Sequence, residues 1–217
     1  MKGKKENYKI EKPRIPDKLD ELQSFNNIIE KEDFISEKII FNCSIENQTA
    51  EHVNFKQVIF RNVTFKKVSF RYIDLTDVKF ENCDLSNVDF YGAIIYRVEM
   101  LNCKILGINL SESTLQNVLF ENCTGPYASF PFSNFKQVTF NHCSLLNSNF
   151  QESNLNKIGF LNSNLMEAEM SGTKLKGIDF TTSIIEGISA GIEDLYGAIV
   201  SPVQAVSLSK LMGLIVK

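Results

Sequence analysis

A period of five residues constrains this chain more than any other feature. From Phe55 to Ile185 every fifth residue is Phe, Leu, Ile or Met at 26 of 27 positions, the exception being Gly125. Two residues ahead of each stands a second set: Val53, Val58, Val63, Val68, Ile73, Val78, Cys83 and onward to Ser183. All 27 are Ala, Val, Ile, Cys, Ser or Thr, and the frame runs 131 residues without insertion or deletion. Neither a helix, with period 3.6, nor a plain strand, with period 2, produces this. A short strand followed by a tight turn does. The small and large residues point to one side, the residue between them points out, and the last two turn the corner. Four such sides close a square coil, and each coil stacks on the last at strand spacing, about 4.8 Å.

Numbering modulo 20 then sorts the side chains into columns. Phe60, Phe80, Phe120, Phe140, Phe160 and Phe180 share one wall, and Phe70, Phe90, Phe130 and Phe150 the opposite one. Offset stacked rings predict a continuous apolar spine, the main stabilising contribution in such a coil. The five cysteines, Cys43, Cys83, Cys103, Cys123 and Cys143, form a single inward column. Just before it stands an asparagine column: Asn42, Asn62, Asn82, Asn102, Asn122, then His142 and Asn162. Asparagine tolerates the left-handed backbone that the third residue of a type II turn needs, so this corner reads as type II turns with stacked amides. The one irregular place is Thr124-Gly125-Pro126-Tyr127. There Gly125 predicts an empty core position and a local dent, while Pro126 and Pro131 take the first turn position, which favours proline.

The segments ENCDL, SNVDF, SESTL, QESNL, NSNLM and SGTKL resemble the repeat of the pentapeptide-repeat family: a small residue, Asp or Asn, Leu or Phe, and two variable positions. The resemblance covers about residues 39–200. It implies an all-β chain folded as a right-handed quadrilateral β-helix of about eight coils, a rod about 38 Å long at strand spacing. Residues 1–38 lie outside the frame and are predicted to cap the first coil, with a short helix after Pro16-Asp17, because an open solenoid end invites edge pairing. In residues 201–217, Ser201 reads as an N-cap, Pro202 as the first helical residue and Gln204 as the capping-box partner. The helix is predicted to reach Met212 and stop at Gly213, with Leu214-Ile215-Val216 as a final strand. Glu193 occupies a position that should be small and inward, so the last coil is expected to adapt to something other than another coil.

Charge and composition exclude several classes. The 23 basic and 26 acidic residues nearly balance, at a net charge of −3, which argues against direct nucleic-acid binding through a basic surface. The basic N-terminus leads into no apolar run, and no window approaches the roughly 20 apolar residues of a spanning helix, so no membrane contact is expected. An odd number of cysteines without paired spacing fits reduced thiols and a cytoplasmic location. Inward thiols on stacked strands have no room to converge tetrahedrally on a metal. Both histidines, His52 and His142, fall at outward turn positions with no nucleophile beside them, and neither a phosphate loop nor a zinc motif is present. The expectation is a protein that is not an enzyme and uses no cofactor.

Function must then lie in the outward residues. Lys56, Arg61, Lys66, Lys67 and Arg71 form a basic collar on the N-terminal coils, and the half beyond Leu101 is mildly acidic. Leu101, Leu106, Leu146, Leu161 and Met166 read as an apolar stripe along one edge, which with Glu121 is the expected partner surface. Within the family, the chain is similar in length, uninterrupted solenoid and capped terminal helix to the quinolone-resistance proteins of the Qnr and MfpA type. That resemblance implies a non-catalytic DNA mimic that binds DNA gyrase and topoisomerase IV and protects them from quinolones. It also implies a homodimer through residues 201–217, with Val203, Val206, Leu208, Leu211, Met212 and Leu214 at the interface. The alternative is a pentapeptide-repeat scaffold with no topoisomerase partner.

Overall fold

Each side of the coil is set by where its large residue points. The computed structural model describes residues 9–24 and 28–216. Its first strands are β1 (Asp20–Leu22), β2 (Phe34–Phe41), β3 (Ser44–Glu46), β4 (Thr49–Glu51), β5 (Asn54–Arg61), β6 (Thr64–Lys66), β7 (Ser69–Arg71) and β8 (Asp74–Glu81). They are followed by β9 (Ile94–Leu101), β10 (Thr114–Glu121), β11 (Asn134–Asn141) and β12 (Asn154–Leu161). All pairing is parallel, and from β2 onward it runs in steps of 20 residues, as in Phe60↔Phe80, Phe120↔Phe140 and Phe140↔Phe160. One sheet runs β1-β2-β5-β8-β9-β10-β11-β12, with β3-β6 and β4-β7 on the other two sides. We name the four sides after Phe55, Phe60, Phe65 and Phe70, and the corners that end them after Gln57, Asn62, Lys67 and Tyr72. The molecule is the expected quadrilateral β-helix.

The rod is slightly shorter in strand than predicted. It makes about seven turns rather than eight. Beyond β12 the coil continues through turns and single bridges, Asn164↔Ile184, Glu169↔Ser189 and Asp179↔Ile199. The Phe65 and Phe70 sides are already joined by single bridges of this kind from Asp84↔Lys104 and Asp89↔Asn109 onward.

Inside, the phenylalanine columns stack as predicted. Phe120 and Phe140 lie 4.5 Å apart and Phe130 and Phe150 4.8 Å apart, both pairs nearly parallel. The two spines also meet across the core, Phe140 edge-on to Phe150 at 5.9 Å. Small inward residues do a second job. Ser133 Oγ donates to the Leu110 carbonyl at 2.7 Å and accepts from Ser113 N at 3.0 Å, and Ser153 repeats the pattern one coil on. A hydroxyl at this position thus satisfies backbone groups that a methyl would leave unpaired at a cost of about 1–3 kcal/mol.

The corners follow the turn chemistry. Asn42, Asn62, Asn82, Asn102, Asn122, His142 and Asn162 all have positive φ, between 48° and 55°. Their amides stack, Asn62 donating to Asn42 at 2.8 Å and Asn122 to Asn102 at 3.2 Å. Gly125 departs from expectation. Its position is not empty, because a Cβ there would lie 2.5 Å from Ile105 Cγ1. The Ile105 side chain from the preceding coil fills the space, and Gly125 N donates to Ser144 O at 2.7 Å in the regular register. The rod keeps its ladder through this point.

Three expectations about the ends are corrected. No helix follows Pro16. Instead β1 pairs parallel with β2, Asp20 opposite Lys38, since an unpaired sheet edge offers a short segment more hydrogen bonds than an isolated helical turn. Leu214-Ile215-Val216 form no strand. Glu193 points outward and Asp194 is buried in its stead, accepting from Gly172 N at 2.8 Å and pairing with Lys174 at 3.0 Å. The C-terminal helix α1 (Pro202–Ser209) and its 3₁₀ extension Lys210–Met212 match the sequence reading. The capping box forms, and Gln204 Nε2 reaches on to the carbonyls of Phe180 and Ser183 at 2.8 and 2.7 Å. One side chain thereby caps both the helix and the solenoid.

Candidate functional site

A rod whose core is filled by side chains has only its outer faces to work with. His52 is stacked on Tyr72 at 5.1 Å and His142 sits in the asparagine corner. Among the described residues, no group of three His, Cys, Asp or Glu is placed to hold a metal ion. Cys83, Cys103, Cys123 and Cys143 are buried and Cys43 half-buried, none of them in a disulfide. Hydrogen bonding to the neighbouring Cys103 thiol, with burial, pushes the Cys83 thiol well above its ordinary range.

Stacking in steps of 20 also decides where charges meet. Arg61 pairs with Glu81 at 2.7 Å, Lys66 with Glu46 at 2.9 Å and Lys79 with Glu99 at 3.2 Å, each one coil apart. The predicted basic collar is therefore largely neutralised by the flanking coils. Among the described residues only its Lys56 and Lys67 have no carboxylate partner.

Sorting the remaining charges by side gives an asymmetric rod. From residue 86 onward, the Phe70 side with its two corners is made by residues 86–92, 106–112, 126–132, 146–152, 166–172 and 186–192. These stretches contain Asp89, Glu112, Glu152, Glu167, Glu169 and Glu186 and not one Lys or Arg. Glu112, Glu152, Glu167 and Glu186 are exposed. Burial would raise the Glu169 carboxyl, but hydrogen bonds from Ser171 hold it below its ordinary value and keep it ionised. A hydrogen bond to Glu112 raises the Tyr91 phenol. Lysines gather diagonally opposite, with Lys56, Lys136, Lys157 and Lys176 at the Gln57 corner. A net charge of −3 thus conceals a face that, from residue 86 onward, carries carboxylates and no lysine or arginine.

The expected apolar stripe divides between two corners. Leu101, Glu121 and Leu161 lie at the Asn62 corner, where Asn141 Nδ2 donates to Glu121 at 2.9 Å. Leu106, Leu146 and Met166 lie at the Lys67 corner, five residues further on, beside the acidic face. Together they border the Phe65 side rather than one edge, and a hollow at its far end is shared by Met166, Ile185, Leu208 and Leu211. Of the residues expected at a dimer interface, Leu208 turns onto its own rod. Val203, Val206, Leu211, Met212 and Leu214 are exposed, Val203 at 81%.

Two family models match the chain: the pentapeptide repeat region over residues 73–141, and pentapeptide repeats in eight copies over residues 143–181. This is a pentapeptide-repeat protein. It is 38% identical over 128 residues to the uncharacterized protein YisX of Bacillus subtilis (strain 168), a match spanning 59% of this chain and 60% of that relative's length. Among solved structures it is similar to trypsin-treated QnrB1, a plasmid-mediated fluoroquinolone resistance protein, at 20% identity and a TM-score of 0.41, covering 92% of this chain and 99% of that one. HetL of Nostoc sp. strain PCC 7120, involved in heterocyst differentiation regulation, is similar at 16% identity and a TM-score of 0.35, covering 78% of this chain and 87% of that one. In this pentapeptide-repeat rod the acidic face escaped a linear reading because its carboxylates are scattered over 98 residues and meet only when the coil is closed.

Proposed function

We propose that this protein is a non-catalytic, dimeric rod that occupies a DNA-binding groove on DNA gyrase and topoisomerase IV and protects them from quinolones. The observation that carries the reading is the run of Asp89, Glu112, Glu152, Glu167, Glu169 and Glu186 along one face, which has no lysine or arginine from residue 86 onward. These six carboxylates span about five coils, so one falls roughly every 4–5 Å, against 3.4 Å between charges along a strand of B-DNA. A groove evolved to grip a phosphate backbone meets a similar spacing of negative charge on a rigid rod, and complementary charge also steers the encounter. The Qnr-like repeat and ends noted in the sequence agree with this partner.

Dimerisation extends the face. Ile192, Tyr196, Val203, Met212 and Ile215 are all exposed at the C-terminal end, more apolar surface than one rod end leaves to water. A two-fold pairing through it is the simplest closed arrangement and sets two rods end to end over roughly 75 Å.

The test is binding of purified gyrase, followed by surface plasmon resonance with and without duplex DNA. Mutually exclusive binding that weakens steeply with salt supports the reading; binding that coexists with saturating DNA, or no binding, rejects it. A second reading, a repeat scaffold for some other protein, is favoured by one observation: Lys66, Lys67 and Arg71 continue the acidic face into cationic coils at the N-terminal end.

A further inference from the structure

The Gln57 corner differs from the other three, because a segment of the chain lies across it. Residues 9–14 run lengthwise down the rod, perpendicular to the strands. Gln137 Nε2 donates to Lys9 O at 3.2 Å, and Glu11 N donates to Asn117 Oδ1 at 3.3 Å. Arg14 N donates to Asp77 Oδ1 at 2.9 Å, and Gln57 Nε2 donates to Arg14 O at 3.1 Å. The rod supplies side chains from a single column, and the strap supplies main chain. No side chain of residues 9–14 hydrogen-bonds the rod among the described residues.

The geometry suits an extended main chain. From Gln137 to Gln57 is four coils, about 19 Å, and five extended residues cover about 17 Å. Among the described residues the coil between, at Arg97, makes no hydrogen bond to the strap. Arg97 instead grips Asp77 with two hydrogen bonds of 2.6 Å each, fixing the carboxylate that accepts from Arg14. Under this cover Asp77 is 3% and Asn117 1% exposed, values that turn residues on an uncovered corner do not reach. All five column residues, Gln57, Asp77, Arg97, Asn117 and Gln137, hold positive φ, which aims their side chains outward from the corner in a row.

We propose that this corner is a binding site for an extended polypeptide, recognised through its main chain. In this structure the chain's own N-terminal segment fills it in cis. Because the contacts read amides and carbonyls rather than side chains, a segment of another sequence fits the same column once the strap is released. The site is independent of whatever docks on the acidic face.

The experiment uses the full chain carrying Glu11→Pro and Arg14→Pro, which removes both strap N–H donors and leaves the column intact. A fluorescently labelled peptide of residues 9–22 is titrated and followed by anisotropy. The loosened protein is expected to bind it, and wild type to bind far more weakly, since the tethered strap competes at millimolar effective concentration. Adding Asn117→Ala or Gln137→Ala should weaken binding about fivefold each. A peptide with its side chains at 11 and 14 exchanged for Ala should bind equally, and one N-methylated at those amides should not. If the loosened chain misfolds, hydrogen exchange on the otherwise wild-type chain serves, where Asn117→Ala should speed exchange at the Glu11 amide about fivefold. Absence of peptide binding to a folded loosened variant, indifference to Asn117 and Gln137, or an unchanged Glu11 amide would overturn the proposal.

Discussion

Phe120 shows what a single residue contributes to this rod. It is fully buried, stacks on Phe140 at 4.5 Å and meets Phe130 edge-on at 6.4 Å. Phe120→Ala should therefore cost about 3–5 kcal/mol, measured by chemical denaturation, as transfer and cavity costs add. The thiols give a second prediction: without denaturant, only Cys43 should react readily with a thiol reagent, since the other four are buried. Rapid native labelling of Cys103 or Cys123 would contradict the packing. Both columns were legible in the sequence because period and face are locked together. Gly125 was not. A missing side chain reads as a hole, and only the closed coil brings the Ile105 rotamer into it. Gly125→Ala, which must displace that isoleucine, should destabilise by about 1–3 kcal/mol.

At the scale of elements, the frame forecast what repeats and missed what crosses it. Pairs such as Asp77–Arg97 and Lys174–Asp194 stand 20 residues apart and could be read by column. The strap could not, because periodicity does not say which corner an off-frame segment will follow, and a proline before polar residues suggests a helix equally well. Burial alone would raise the Asp77 carboxyl, yet hydrogen bonds from Arg97 and the Arg14 amide hold it below its ordinary value. A carboxylate depressed on folding stabilises the native state at neutral pH. That contribution is present above its unfolded pKa, roughly 4, and is lost as pH falls through the lower folded value. Asp77→Asn should accordingly be less stable than wild type at pH 7, and the gap in denaturation midpoint should close toward pH 3. A gap independent of pH would mean that the pair and strap contribute nothing through that charge.

The whole molecule combines a neutral-looking composition with a polarised surface. Net charge was visible at once, but the acidic face was hidden, because its residues come from five separate coils. For the proposed dimer through the exposed C-terminal end, light scattering at micromolar concentration should report twice 24.6 kDa. Val203→Glu with Met212→Glu should return the monomer without loss of helical or β signal. The proposed gyrase protection depends on the acidic face. Supercoiling by purified gyrase in the presence of a quinolone tests this most directly, comparing wild type with the triple variant Glu152→Lys, Glu167→Lys, Glu169→Lys. Wild type should restore supercoiling in a dose-dependent way, and the variant, equally folded, should not. Equal protection by both proteins, or by neither, would contradict it.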